Sequence, residues 1–173
     1  MTAVTAIRCV LLAAGLLAAA WTDWKRRRIP NRLSVAMAAT GILLGVLMGG
    51  LSGLLGSLGG LAAGLTAGVI LWLLKIFRAG DAKLLAALGA MMGWRWLAAC
   101  FLYGVVTGAA AGILLLLFKG QLLQRLARLW SYFKSLLLTQ RYSPYQPEKE
   151  HEGELPFAPF LAIGGLLACL FPL

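Results

Sequence analysis

The stretch LAACFLYGVVTGAAAGILLLLF, residues 97–118, runs for 22 positions without a charged side chain. A helix needs about 20 predominantly apolar residues to cross a bilayer, so this stretch predicts a transmembrane helix. The whole chain of 173 residues has the same character, with 61% hydrophobic and 13% charged residues and a mean hydropathy of +0.84. Soluble domains carry about 25% charged residues. The composition therefore predicts an all-α, polytopic membrane protein.

Five further apolar runs bring the predicted number of spans to about six, within a single integral-membrane domain over residues 1–173. We interpret the first run as a retained span and not as a cleaved signal peptide, because a basic cluster follows it directly. The fourth run is short, and we expect it to be tilted or partly sunk between its neighbours. The predicted spans are Ala3 to Thr22, Leu33 to Gly49, Leu54 to Phe77, Ala82 to Met92, Leu97 to Phe118 and Pro156 to Leu173.

Most of the 16 basic residues lie in three clusters between the predicted spans. Basic loops stay in the cytoplasm, so both termini are expected outside. The chain has a net charge of +10, and anionic lipid head groups attract such basic clusters. We therefore expect the basic residues to interact with the bilayer and not with nucleic acid. The clusters are Lys25 to Arg28 with Arg32; Lys75, Arg78 and Lys83; and six residues from Lys119 to Lys149.

The one long polar connection covers residues 119–155. Residues 121–140 are amphipathic and predict a helix that lies in the cytoplasmic interface. A short acidic run follows, which we interpret either as a solvated linker or as a patch that attracts a cationic part of the substrate. Its members are Glu148, Glu150, Glu152 and Glu154.

Glycines recur at every fourth position in three segments, which gives each helix a smooth strip and lets backbones approach closely. We expect these strips to pack helices within one subunit, with a homo-oligomer face as the alternative. The glycines are Gly41, Gly45, Gly49 and Gly53; Gly56, Gly60, Gly64 and Gly68; and Gly104, Gly108 and Gly112.

Only two acidic residues, Asp23 and Asp81, occur in the first 147 positions, and both lie where an apolar segment meets water. A carboxylate there is costly and tends to mark a functional site. Structural alternatives exist, because Asp23 could pair with the basic cluster that follows it and Asp81 could cap a helix. Two adjacent carboxylates share a proton near neutral pH, so that one accepts a proton from water while the other donates one. The pair therefore predicts acid–base hydrolysis.

The sequence lacks the residues that other hydrolytic mechanisms require. His151 is the single histidine and lies in the acidic run, and the chain has neither an HExxH nor a GxSxG motif. Cys9, Cys100 and Cys169 lie in separate apolar segments and form no CxxC pair. We therefore expect no metal, no cofactor and no disulfide framework.

Two motifs surround the aspartates. Asp23 is followed by a basic stretch and by Ile29-Pro30-Asn31, and the second motif is Gly80-Asp81-Ala82-Lys83. In this order they resemble the signatures of the type IV prepilin peptidases, a family of membrane aspartic endopeptidases, and residues 156–164 are similar to that family's last span. We expect Asn31, by its residue type, to be the N-cap of the second span.

The resemblance implies that Asp23 and Asp81 are the catalytic pair and that the other motif residues support them: Ile29, Pro30, Asn31, Gly80 and Lys83. It also implies an enzyme of the bacterial cytoplasmic membrane whose site faces the cytoplasm. The expected substrates are prepilin or pseudopilin precursors, cut after a glycine between a basic leader and a hydrophobic helix.

The chain departs from the family pattern in two places. Arg78 stands where the second motif has its first glycine, which predicts a different turn and a guanidinium that favours the ionised form of Asp81. Only about ten residues separate Asp23 from the second span, with no cysteine pair, so the chain looks like the short, peptidase-only form associated with Flp (Tad) pili. A non-enzymatic alternative is a small transporter or an assembly-platform subunit in which the two acids pair with Arg or Lys.

Overall fold

The structure is a computed structural model that describes residues 3–118, 120 and 157–171. Within these ranges the chain is helical and contains no strand, which confirms the all-α prediction. The five described helices are α1 (Ala3–Arg26), α2 (Asn31–Leu73), α3 (Ala79–Met92), α4 (Trp94–Phe118) and α5 (Ala158–Leu170).

Helix α2 folds back on itself at Gly50. This residue has φ 55° and ψ −128°, a left-handed conformation that glycine adopts without a Cβ clash. The Ser57 hydroxyl donates a hydrogen bond of 3.3 Å to the carbonyl of Gly41, whereas 16 residues of straight helix would span about 24 Å. The two arms, 31–49 and 51–73, therefore form a hairpin that matches the predicted second and third spans.

Glycines hold the second arm of α2 against α3. Each of three successive strip glycines faces the α3 backbone so closely that an added Cβ would come within 3.0 Å of it. The strip packs helices within the chain, as predicted for these positions, and the homo-oligomer stays a prediction. The facing pairs are Gly60 with Gly89, Gly64 with Leu85, and Gly68 with Ala82.

Helix α3 is the central element. Between Asp81 and Met91 every residue except Lys83 is buried, and Leu84 and Leu88 are fully enclosed. The first arm of α2 also reaches it, through Gly41 against Met91. The prediction that the short fourth segment is sunk between its neighbours is therefore confirmed by burial.

Three of the described helices are long and apolar enough to cross a membrane: Ala6–Arg26, Asn31–Leu73 and Trp94–Phe118. Helices α3 and α5 have 14 and 13 residues, fewer than the roughly 20 that a span needs. The membrane character is confirmed, whereas a count of six crossings is not.

The chain divides into two compact units, one of residues 1–107 with 156–173 and the other of residues 108–155. Both aspartates and the start of α5 belong to the first unit. The single-domain organisation stays a prediction. The predicted interfacial helix, the acidic run and His151 lie outside the described residues.

Candidate active site

The two aspartates come from different helices and meet at one end of the first unit. Asp23 lies near the end of α1 and Asp81 in the first turn of α3. Their side chains are only 3% and 6% exposed, respectively. Both line the same cavity of about 480 Å³. The structure thus brings together the two acids that the sequence singled out, although 58 positions separate them.

Asp81 is held at the third position of α3, with Arg78 as the preceding N-cap residue. Its Oδ2 accepts a hydrogen bond of 3.2 Å from the backbone N–H of Arg78. Asp81 therefore caps α3 as expected, but it does so from the third helical position and is not itself the N-cap residue. The same carboxyl lines the cavity, so capping and a functional role coexist.

Burial raises the pKa of Asp81 from its ordinary value of 3.8 to about 6. The negative charge of Asp23 acts in the same direction, while the Arg78 backbone hydrogen bond and the Arg78 guanidinium act against it. Desolvation disfavours the charged form, and a like charge does so as well. The Asp81 carboxyl therefore exchanges its proton close to neutral pH, as acid–base chemistry requires.

Asp23 is oriented by the last helix. Its Oδ2 accepts a hydrogen bond of 3.2 Å from the backbone N–H of Ala158, the first residue of α5. The N-terminal N–H groups of a helix have no partner within the helix and stabilise a negative charge. Sequence reasoning missed this contact, because no residue pattern links Asp23 to a position so far along the chain.

The chain turns sharply at Arg27, one helical turn after Asp23. The backbone N–H of Arg27 donates to the carbonyl of Asp23 at 2.8 Å, and Arg27 has φ 49°, the left-handed region that usually favours glycine. Pro30, with φ −63°, then precedes α2 as its N-cap residue. The turn ends α1 one turn beyond the acid and keeps the basic residues at the cavity.

Asn31 is not the N-cap of the second span, so that prediction is wrong. Pro30 occupies the N-cap position without a side-chain hydrogen bond, and Asn31 is the first helical residue. Its Oδ1 instead accepts a hydrogen bond of 2.9 Å from Lys83 Nζ. Proline at the cap left the Asn31 amide available to α3, and the resulting bond joins the two motifs.

Ile29 and Gly80 make a second link between the motifs. Ile29 is 8% exposed, and a Cβ placed on Gly80 would lie 3.5 Å from the Cβ of Ile29. Both residues line the cavity. Of the five supporting residues predicted from the motifs, four line the cavity, namely Ile29, Asn31, Gly80 and Lys83, while Pro30 is the N-cap residue of α2.

The rim of the cavity is basic. Arg78 Nη1 donates a hydrogen bond of 3.2 Å to the carbonyl of Arg27, so the residue that replaces a motif glycine fastens the turn after α1 to the start of α3. The basic residues that line the cavity are Arg26, Arg27, Arg28, Arg78 and Lys83. Among the described parts of the chain, no three His, Cys, Asp or Glu side chains gather as a metal site would require.

Three phenylalanines, which sequence reasoning missed, pack next to the site. Phe77 and Phe157 have ring centroids 4.4 Å apart, and Phe101 lies 6.0 Å from the first and 6.4 Å from the second. Phe77 precedes Arg78 and Phe157 precedes Ala158, so the cluster adjoins the groups that hydrogen-bond Asp81 and Asp23. Aromatic packing of this kind adds about 0.5–1.5 kcal/mol per pair beyond area burial. The adjacency of Phe77 to the second motif was the available sequence signal.

Comparison with known proteins agrees with these motifs. Residues 10–113 match the type IV leader peptidase family. A "Prepilin leader peptidase/N-methyltransferase" of Burkholderia pseudomallei (strain 1026b) is 32% identical over 166 residues, which cover 92% of this chain and 45% of the relative. One of the same name from Aeromonas hydrophila is 27% identical over 171 residues, or 95% of this chain and 49% of the relative.

The chain spans about half the length of the curated relatives it matches. No solved structure matches it significantly. The family match covers more than half of the chain, including both aspartate motifs. This chain therefore belongs to the type IV leader peptidase family.

Proposed function

We propose that this protein is an aspartic endopeptidase that removes the basic leader from prepilin-like precursors, with Asp23 and Asp81 as its catalytic pair. The observation that carries the proposal is the convergence of two buried carboxyls from α1 and α3 on one cavity of about 480 Å³. The curated relatives bear the name of a leader peptidase, which supports the choice of substrate.

The chemistry follows from a shared proton. A water molecule between the two carboxyls loses a proton to the ionised carboxylate as its oxygen attacks the scissile carbonyl carbon. The protonated carboxyl hydrogen-bonds the carbonyl oxygen, and a proton then passes to the leaving amine as the C–N bond breaks. Asp81, with a pKa of about 6, suits the proton-holding role, and the Ala158 N–H suits the negative charge of Asp23.

The position of the pair suits a bond at a membrane surface. Asp23 lies close to the end of the candidate span Ala6–Arg26, and Asp81 lies outside all three long apolar helices. In a substrate whose hydrophobic helix lies in the bilayer, the peptide bond just before that helix lies at the membrane surface. We place the two aspartates at the same level. The leader peptidase reaction needs access to such a bond, and the cavity that both aspartates line is the place where we propose that it binds.

A cytoplasmic orientation of the site in the bacterial inner membrane is part of the proposal. Five basic residues line the cavity, and basic segments stay in the cytoplasm. A reporter inserted directly after Arg28 should therefore report the cytoplasm, and one at the N-terminus the outside. The opposite pattern would contradict this orientation without bearing on the catalytic pair.

Cleavage of a prepilin precursor by the full chain in membranes tests the activity. Asp23→Asn and Asp81→Asn should each lower cleavage about a hundredfold or more, because an amide cannot act as acid or base. Ser57→Ala is the matched control, since Ser57 is a buried polar residue of the α2 hairpin, 2% exposed, and does not line the cavity. It should cleave like the unmodified protein.

Membrane insertion and thermal stability of each variant must accompany the assay. If either asparagine variant is folded and retains more than about a tenth of the activity, that aspartate is not catalytic. If the unmodified protein cleaves no precursor that has a basic leader before a hydrophobic helix, the peptidase assignment itself is refuted.

A further inference from the structure

A second cavity, of about 420 Å³, lies at the end of the first unit opposite the aspartates. It is bounded by α1, by the tip of the α2 hairpin and by the junction of α3 with α4. The hairpin turns at Gly50 and α3 ends at Met92, whereas the aspartates lie where α1 ends and α3 begins. The cavity is therefore separate from the proposed active site.

Arg8 reaches into this cavity from an apolar helix. Its Nε is wholly buried and has no hydrogen-bond partner in the described part of the chain. Its Nη1 contacts the Met48 sulfur at 3.8 Å, and a thioether is a weak acceptor. A buried guanidinium N–H without a partner is costlier than a neutral unsatisfied polar group, because it carries charge. Among the described residues, the Met48 sulfur is thus the one hydrogen-bond partner of the Arg8 side chain, which is half-buried as a whole.

A second guanidinium lines the same cavity. Arg95 lies with its Cζ 5.5 Å from the ring centroid of Trp94, at the start of α4. Among the described residues that line the cavity none is acidic, so within the described part of the chain the two positive charges have no counter-charge there. A guanidinium adds specificity when two of its N–H groups bind two oxygens of the same phosphate or carboxylate.

Several glycines line the cavity, and one of them leaves open space beside it. A Cβ added to Gly56 would meet no atom within 4 Å, so the space beside it is open. Gly49 and Gly93 also line the cavity, whereas Gly45 and Gly53, which line it too, pack against each other. The cavity, which both arginines line, therefore has open space beside Gly56.

We propose that this cavity binds the phosphate of an anionic phospholipid, with Arg8 and Arg95 as its ligands. Arg8 belongs to a helix long enough to cross the membrane, and apolar side chains beside the cavity are exposed, with Leu51 72% and Trp94 58% exposed. These surfaces suit acyl chains, which a free phosphate lacks. The site would hold a lipid head group at the bilayer surface opposite the proposed active site.

Native mass spectrometry of the purified full chain tests the site, with phosphatidylglycerol titrated against each variant. Arg8→Gln and Gly56→Leu should each weaken the tightest phosphatidylglycerol binding about tenfold or more, the first by loss of charged hydrogen bonds and the second by filling the space. Gly59→Leu is the matched control, because Gly59 also has open space around it but does not line the cavity. It should bind like the unmodified protein.

Two further arms distinguish the source of the phosphate. Phosphatidylethanolamine, which is zwitterionic, should bind more weakly than phosphatidylglycerol, and inorganic phosphate at millimolar concentration should not displace the lipid. Displacement by inorganic phosphate, lost in Arg8→Gln, would refute the lipid assignment in favour of a free anion. Equal lipid binding by the unmodified protein and Gly56→Leu would overturn the site, even if Arg8→Gln failed to fold.

Discussion

The carboxylate of Asp23 and the backbone N–H of Ala158 are joined by a hydrogen bond of 3.2 Å, although 135 positions separate the two residues. Asp23 lies in the last turn of the first helix, and Ala158 begins the last described one. The orientation of one proposed catalytic group therefore depends on how α5 docks. Close contacts hold this helix in place, including Gly164 against the backbone of Cys100 and Gly104, and Gly165 near Leu16.

The raised pKa of Asp81 predicts a pH-dependent stability. A carboxyl with a pKa raised on folding, here from 3.8 to about 6, binds its proton more tightly in the folded state. Its contribution to stability is thus present below about pH 4 and lost as pH rises through about 6. Asp81→Asn should be more stable than the unmodified protein above pH 6, by up to about 3 kcal/mol.

Thermal unfolding in detergent between pH 4 and 8 measures this difference. Ser57→Ala provides the reference for a buried polar substitution that does not titrate, and its difference from the unmodified protein should be the same at each pH. An Asp81→Asn curve that runs parallel to that of the unmodified protein would mean that the carboxyl has no raised pKa.

Arg78→Gly restores the glycine that the resemblance leads one to expect at this position. The variant keeps the backbone N–H that hydrogen-bonds Asp81 but removes the guanidinium, one of the groups that lower the pKa of Asp81. The pKa of Asp81 should therefore rise further, and the corresponding limb of the kcat/KM profile should move to higher pH. Arg78→Lys keeps a positive charge and should move the limb less.

The same substitution removes the hydrogen bond from Arg78 to the Arg27 carbonyl. Its effect on the turn should appear in Arg78→Lys as well, since lysine lacks the planar fork. The pH profiles of kcat/KM, measured with one precursor for both variants, separate the loss of the positive charge from the change in the turn. Identical pH limbs in Arg78→Gly and the unmodified protein would show that the guanidinium does not influence the carboxyl.

Gly64→Ala should destabilise the protein by about 1–3 kcal/mol, because its Cβ would overlap the α3 backbone at Leu85 and Ala86. Gly59→Ala, on the same helix arm, meets no atom within 4 Å and should be neutral or stabilise by up to about 1 kcal/mol. Thermal or denaturant unfolding of the pair provides the measurement. Equal stability of the two variants would contradict the close approach of α2 and α3.

A double-mutant cycle on Asn31 and Lys83 measures the hydrogen bond that joins the two motifs. Asn31→Ala and Lys83→Ala each remove the 2.9 Å contact, so the double variant should lose less than the sum of the singles. We expect a coupling of about 0.5–1.5 kcal/mol in stability. Additive effects would mean that the contact contributes nothing to the docking of α3 on the start of α2.

The same cycle in the cleavage assay separates positioning from chemistry. Both side chains lie at the cavity, but neither is needed as acid or base in the proposed mechanism. The single variants should therefore keep measurable cleavage where Asp81→Asn loses it. Loss of cleavage in Lys83→Ala as complete as in Asp81→Asn would assign lysine a direct part in the reaction.

Much of the candidate site could be predicted from local sequence. Backbone groups in a membrane are satisfied in helices or in closed barrels, and barrel strands alternate apolar and polar residues. The long continuous apolar runs therefore predicted the all-α class. Two acids in an otherwise acid-free stretch, each beside a helix end, identified Asp23 and Asp81, and the motif order identified the family. These features depend on short-range chemistry, which the amino-acid order alone specifies.

Other features needed the tertiary structure. The contact of Asp23 with Ala158, the Asn31–Lys83 bond and the phenylalanine cluster join residues from distant segments, and no local pattern specifies which helix ends come together. Asn31 illustrates the limit: its residue type favours an N-cap, but Pro30 takes that position and α3 supplies a better partner. The sequence by itself determined which residues carry charge and which segments are helical. Helix packing decided which of them meet and how water is excluded from Asp81, because desolvation depends on neighbours that only the folded chain provides.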